Sequence, residues 1–280
     1  MLKNYTFDSD FYVNFYPDIK NAISTENCNP YQHYITHGKK EKRVCCQDEL
    51  NDTITTNLQL IDQQHKLLQN VEFKNDENKL NVLIRTSQRP DLFRECIESV
   101  LSQKYTNYHI YICYDYAECY EYIKEYINDQ ITAFFVETKS EEKYKFNLYN
   151  NQLLDMVEDG FIIFMDDDDV YTHNMCFKII NENIADFDTI LMWKFMRPDK
   201  LVYPKHINNI RLGEIDTTMI CFHNNHKTLA RWMDCQCGDF FFYTDLFKSV
   251  QNILSEKFRI KRINYILTKT NYHNKMCNSI

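Results

Sequence analysis

The chain has 280 residues, 44% hydrophobic and 26% charged, with a formal net charge of −8. That length fits one large domain plus a small appendage, in a soluble globular composition. The negative balance disfavours a nucleic-acid groove, and no apolar stretch approaches the roughly 20 residues of a membrane span. Met1 to Tyr5 lead into acidic, aromatic sequence without an apolar leader, so the eleven cysteines read as reduced thiols in a cytoplasm. A zinc site is the alternative reading, but paired Cys-x-x-Cys spacing is absent. Glycines number only four, while Asn, Ile, Lys and Tyr are abundant, as in the product of an AT-rich genome.

Three regions follow in order. Residues 1–47 read as a helical N-terminal module. Asp8-Ser9-Asp10 caps a first helix that Pro17 ends or kinks, and a second helix over 31–37 stops at Gly38, a C′ residue. Residues 48–78 read as a helical linker whose apolar stripe is Ile54, Leu58, Ile61 and Leu68, with His65 between. Packing of that stripe on the main domain is the favoured reading; a coiled-coil contact in a homodimer is the alternative, with fewer than three clean heptads. Residues 79–280 form the main domain. Strands are expected over 80–84, 109–113, 132–136 and 161–165, with helices from Pro90, over 118–128 and over 148–157. This alternation implies a parallel sheet with helices on both faces. Farther on, 189–195, 219–223 and 263–268 read as strands, and 227–232 and 240–254 as helices.

The strongest signal is Asp166-Asp167-Asp168-Asp169, directly behind the apolar run Phe161 to Met165. A five-residue apolar run after Gly160 reads as a buried strand. Four carboxylates at its exit repel one another, and a divalent cation relieves that repulsion. In an open α/β sheet, ligands bind outside the carboxyl ends of the strands. The first strand exits into Arg85-Thr86-Ser87-Gln88-Arg89-Pro90, a polar loop feeding a helix N-terminus, which suits a nucleotide. The loop lacks the glycines that cradle phosphates, so the diphosphate falls to a metal. Arg85, Arg89 and Lys145 could reach phosphate, although solvated surface charge is the commoner fate of such residues.

Residues 80–115 and the strand GFIIFMDDDDV resemble the opening and the Asp-x-Asp strand of family-2 glycosyltransferases with the GT-A fold. The later GDFFF resembles their second acidic motif. The likeness covers roughly residues 80–280 and extends to enzymes encoded by large DNA viruses; the N-terminal stretch is similar to a small helical module attached to some of them. The resemblance implies an α/β GT-A fold (Rossmann-like, mostly parallel sheet) and a metal-dependent, inverting transfer of a hexose or N-acetylhexosamine. The sugar would pass from a UDP-sugar to a glycan or protein-linked acceptor.

On that resemblance Thr86, Ser87, Arg89, Asp115, Asp166 and Asp167 border the nucleotide-sugar. Asp168 and Asp166, with the late His273, hold Mn2+ or Mg2+, and Asp239 is the general base. Asp169 caps the following segment, and Asp239 can double as the N-cap of the helix over 240–254. The chain departs from the family at Tyr114, Gln88 and Gly238, where an acid, an asparagine and a glutamate are usual, and at Lys42, which replaces the glycine of a Glu-Gly-Arg ending. A nucleotidyltransferase is the alternative, but it wants a glycine-rich phosphate loop. A catalytically inactive domain that binds glycans or partners is the other.

Overall fold

The computed structural model describes residues 3–26, 28–137, 141–205, 210–255 and 258–271. The N-terminal stretch carries helices α1 (Ser9–Phe15), α2 (Pro17–Glu26) and α3 (Pro30–His33), the last running into a π turn over Tyr34–Gly38. Asp8 caps α1 by accepting from the Phe11 amide at 2.9 Å. Pro17 opens α2, where a missing N–H is tolerated. Gly38 is not a left-handed C′ residue. A Cβ there would collide with the Tyr12 hydroxyl, so close packing selects the glycine. The left-handed position is Lys42, at φ 54°.

Arg43 ties this region together. Its guanidinium grips Asp18 at 2.7 and 3.0 Å and Glu41 at 2.6 Å, and lies 4.7 Å from the Tyr16 ring centre. Contact with the main domain follows next: the Lys42 ammonium donates to the Lys205 carbonyl at 2.9 Å, and the Lys205 ammonium to the Lys42 carbonyl at 3.2 Å.

Helix α4 (Gln47–Leu68) lies on the sheet through Leu50, Ile61, Gln64 and Leu68. Leu58, expected on that face, is exposed instead. Buried Gln64 has a specific task. Strand β9 is irregular opposite the Trp193 to Phe195 stretch, and the Gln64 amide satisfies both the N–H and the carbonyl of Ile266, at 3.0 and 3.2 Å.

Among the described residues the sheet has nine strands: β1 (Leu80–Thr86), β2 (Tyr108–Tyr114), β3 (Ile131–Phe135), β4 (Phe161–Asp166), β5 (Asp169–Tyr171), β6 (Thr189–Met196), β7 (Val202–Tyr203), β8 (Ile220–His223) and β9 (Arg259–Thr270). Their order is β3-β2-β1-β4-β8-β6-β9-β5, with β7 on β6. The first four pair in parallel, as does β6 with β9, and these registers are the long ones. The β4–β8, β6–β8 and β5–β9 pairings are short and antiparallel. Leu80, Val82, Leu83 and Ile84, like Phe161 to Met165, are buried. Strands covered on both faces need such near-continuous apolar runs, which Asn81 alone interrupts in β1.

The start of β4 is fixed by Gly160, at φ 78° and packed against the Lys79 carbonyl. The buried Asn81 amide clamps the same turn, donating to the Asp159 and Phe161 carbonyls. Helix α5 (Pro90–Leu101) joins β1 to β2. The expected helix over 118–128 is broken into a short α6 (Tyr120–Ile123) between two 3-10 turns. Helices α7 (Lys145–Met156), α8 (Cys176–Asn183) and α9 (Gly238–Leu254) complete the layers.

Residues 227–232 form no helix. Asn151 of α7 takes both the amide and the carbonyl of Trp232, at 2.9 Å each, and Arg231 pairs with Asp155 at 2.7 Å. The ten cysteines among the described residues are free thiols. No described helix is long and apolar enough to cross a membrane.

Candidate active site

The site lies at the carboxyl ends of β1, β2 and β4. Parallel pairing sets Arg85 of β1 opposite Asp166 of β4, and the Arg85 Nε donates to the Asp166 carboxylate at 2.7 Å. Burial opposes the Arg85 charge, but Asp166, Asp167 and Asp168 together hold its pKa above the ordinary value. The Phe146 ring covers the guanidinium at 4.9 Å. The Arg85 Nη1 is buried with no hydrogen-bond partner among the described residues. An unpaired buried donor costs roughly 1–3 kcal/mol.

Thr86 and Arg89 meet at Asp167. The Thr86 hydroxyl donates to the Asp167 carboxylate at 2.7 Å and lies 2.9 Å from the Tyr122 hydroxyl. Arg89, at the N-cap of α5, contacts both Asp167 oxygens and reaches Asp168 at 3.1 Å. Asp167 has no exposed surface, so the residue expected beside the nucleotide is occupied inside the protein. Burial pushes its pKa up to about 6 even against the Arg89 charge. Arg85 and Arg89 are thus paired groups rather than solvated surface charge. Ser87 lies in the loop between Thr86 and Arg89.

Asp166, Asp168 and Asp169 bring carboxylate oxygens within 4.8 Å of one another. Asp169 does not cap a helix. It opens β5 opposite Thr270 of β9 and is buried. Burial first, then Asp216, Asp166 and Asp168, raise its pKa well above the carboxylate range; burial and Asp166 raise that of Asp168. Three hard oxygen donors fit Mg2+ or Mn2+ by donor chemistry. His273 lies outside the described residues.

Asp239 sits in the first turn of α9, whose N-cap is Cys237 in a left-handed conformation. It is therefore not the cap. Gly238 is helical and packs so closely on the Asn147 amide that a Cβ would collide, and the helix starts two residues earlier than expected. Burial pushes the Asp239 pKa up to about 6, with Asp166 adding and Arg85 opposing.

Asp216 joins these acids from the loop before β8. Burial and the fields of Asp166 and Asp239 push it up to about 7, while the Thr218 amide and hydroxyl hold one oxygen at 3.0 and 2.9 Å. The sequence carries no signal for Asp216, one acid in a loop without a motif.

Asp115, at the exit of β2, is buried. One oxygen accepts from the Tyr149 hydroxyl at 3.0 Å and lies 3.5 Å from the Lys145 ammonium. The other is buried without a partner among the described residues. Lys145 leads to Phe146, Phe146 covers Arg85, and Arg85 holds Asp166, so Asp115 and the aspartate quartet belong to one chain of contacts.

A parallel β3-β2-β1-β4 half-sheet with acids at its carboxyl edge is consistent with the GT-A architecture. The chain belongs to glycosyl transferase family 2, whose profile matches residues 81–250. Among solved structures it is similar to residues 1–349 of S. aureus TarS in complex with UDP-GlcNAc, at 17% identity and a TM-score of 0.56, covering 72% of this chain and 61% of that one. It is also similar to the mannosyltransferase PcManGT from Pyrobaculum calidifontis in complex with GDP-Man and Mn2+, at 12% identity and a TM-score of 0.52, covering 81% and 68%. The chain thus spans about six tenths of the TarS chain it matches.

Proposed function

We propose that this protein transfers a hexose or N-acetylhexosamine from a UDP-sugar to a hydroxyl of a glycan or protein-linked acceptor, with inversion, in the cytoplasm. The observation that carries the reading is the meeting of Asp166, Asp168 and Asp169 with Asp239 and the Thr86–Arg89 loop at one edge of the sheet. The two structural neighbours were solved with ligands of this class, UDP-GlcNAc and GDP-Man with Mn2+. Division into a module over 1–47, a linker over 48–78 and a transferase domain over 79–280 belongs to the same proposal. A viral origin rests on composition and resemblance.

Each residue has a task. The unpartnered Asp115 oxygen is an acceptor suited to a ring N–H of uracil. Thr86 and Arg89 fix Asp167 from behind, so that Asp166 and Asp168 face the ligand; Ser87 borders the nucleotide. Asp166, Asp168 and Asp169, with His273, hold Mn2+ or Mg2+. When bound, that cation supplies Lewis-acid stabilisation of negative charge on the leaving diphosphate. Asp239 accepts the proton of the acceptor hydroxyl as its oxygen bonds to the anomeric carbon. The bond from that carbon to the diphosphate oxygen breaks, and its electron pair leaves with UDP. One base without a covalent nucleophile inverts the anomeric centre.

Calorimetric titration of UDP with and without Mn2+ tests the reading. The wild type should bind UDP at least tenfold more tightly with Mn2+. Asp168→Ala should lose that increment and turnover while keeping its melting temperature within a few degrees. UDP affinity indifferent to Mn2+ in the wild type would sink the proposal.

A further inference from the structure

Arg85 stands apart from the other cations of the site. Arg89 has its Nε, Nη1 and Nη2 all turned to Asp167 and Asp168, and Lys145 lies against Asp115. Arg85 gives its Nε to Asp166 and keeps a buried Nη1 with no partner among the described residues. Its charge acts on Asp166, Asp167 and Asp168 and also on Asp239. The donor group is therefore near both the acids that would face the nucleotide and the candidate base. Phe146 is 39% exposed and stacks on the guanidinium at 4.9 Å, so this half-exposed ring lies on its solvent side. For a ligand to reach Nη1, that ring would have to turn aside.

We infer that Arg85 is a phosphate-binding residue whose Nη1 donates to the β-phosphate of the nucleoside diphosphate while its Nε keeps Asp166 in place. The inference rests on the glycosyltransferase reading and deepens it. An arginine suits both tasks because its donors lie in one rigid plane, one edge serving a carboxylate and another a phosphate. The same geometry explains a guanidinium buried in the rim of an acidic site. A dianionic phosphate entering beside six aspartates meets repulsion, and Arg85 offers a cation with an uncommitted N–H. Among the described residues Nη1 has no acceptor, and the phosphate supplies one.

The test compares uridine, UMP and UDP by calorimetric titration at fixed Mn2+ in the wild type, Arg85→Lys and Arg85→Met. Arg85→Lys keeps a positive charge beside Asp166 and removes the planar second donor, so it guards against a simple loss of folding. Thermal melts of all three proteins report on the fold. The expected result is a roughly 10- to 100-fold loss of UDP affinity in both variants. Uridine and UMP should stay within about twofold of wild type. Equal losses for UMP and UDP would overturn the inference, since Arg85 would then act on the nucleoside or only on the fold. Unchanged UDP affinity in Arg85→Lys would overturn it too, as would a loss seen with UDP-sugars and not with UDP. Failure of the wild type to bind UDP is a separate outcome that removes the glycosyltransferase reading and this inference together.

Discussion

Replacing Arg89 with methionine probes how the aspartate quartet is held. Arg89 touches Asp167 and Asp168, and Asp167 is wholly enclosed while the Arg89 side chain is 35% exposed. The cost of the substitution is set by the proton that Asp167 can take. Its folded pKa is about 6 against an ordinary 3.8. A raised carboxyl costs stability as pH climbs past 3.8, because the unfolded chain releases its proton first. In the wild type that cost stops growing near pH 6, where the folded carboxyl ionises against Arg89. Without Arg89 the buried carboxyl keeps its proton, and the cost grows by about 1.36 kcal/mol for each further pH unit. At pH 7.5 the variant should therefore lose about 2 kcal/mol, a shift of about 4–8 °C in melting temperature, and at about pH 5 almost nothing. Urea unfolding in EDTA at the two pH values measures both numbers. An equal loss at both, or a larger one at the lower pH, would refute the claim that Arg89 exists to keep a buried carboxylate ionised.

Two further outcomes follow from the same geometry. The folded pKa of Asp239, about 6 through burial and the Asp166 charge, predicts that kcat/KM falls as pH drops below about 6, where the proposed base is protonated. Asp239→Asn should lower kcat by roughly 10²–10⁴-fold and abolish that limb in a pH-rate profile. Arg43→Ala removes ion pairs to Asp18 and Glu41 and a contact with Tyr16. Because the Arg43 side chain is mostly buried, about 1–3 kcal/mol is at stake. Limited proteolysis should then cut within 1–46 before the transferase core, and a core cleaved at the same rate would contradict this reading.

The half-sheet that builds the site was legible because its strands are buried on both faces. Phe161 to Met165 advertises itself as an unbroken apolar run, Leu80 to Ile84 as one interrupted only by Asn81, and the polar exits Arg85 to Pro90 and Asp166 to Asp169 mark where they end. What escaped was set by distant partners. Three residues of β5 have no period to read; they are a strand because β9 pairs with them. Lys227 to Trp232 has helical composition, yet Asn151 takes the Trp232 backbone groups that a helix would use. Leu58 fits an apolar stripe by spacing, but the face that docks is registered on Gln64, because the irregular β9 leaves Ile266 needing a donor and an acceptor. Among the acids, the run of four was visible while Asp216 was not: a loop residue has no neighbours in sequence that announce where it will lie.

Charge bookkeeping across the site explains why the visible acids divide as they do. Asp166, Asp167, Asp168, Asp169, Asp216 and Asp239 act on one another closely enough to shift pKa values. The two arginines that answer them both come from the exit of β1, so one strand–loop segment serves as the counterion of its neighbour. Arg89 is turned mainly to Asp167, the member with no exposed surface. Asp168 and Asp169 keep raised pKa values despite these cations, so each holds a proton more readily than a free carboxyl. Their oxygens converge with that of Asp166, where a divalent cation would take the place of those protons and lower the energy of the site most.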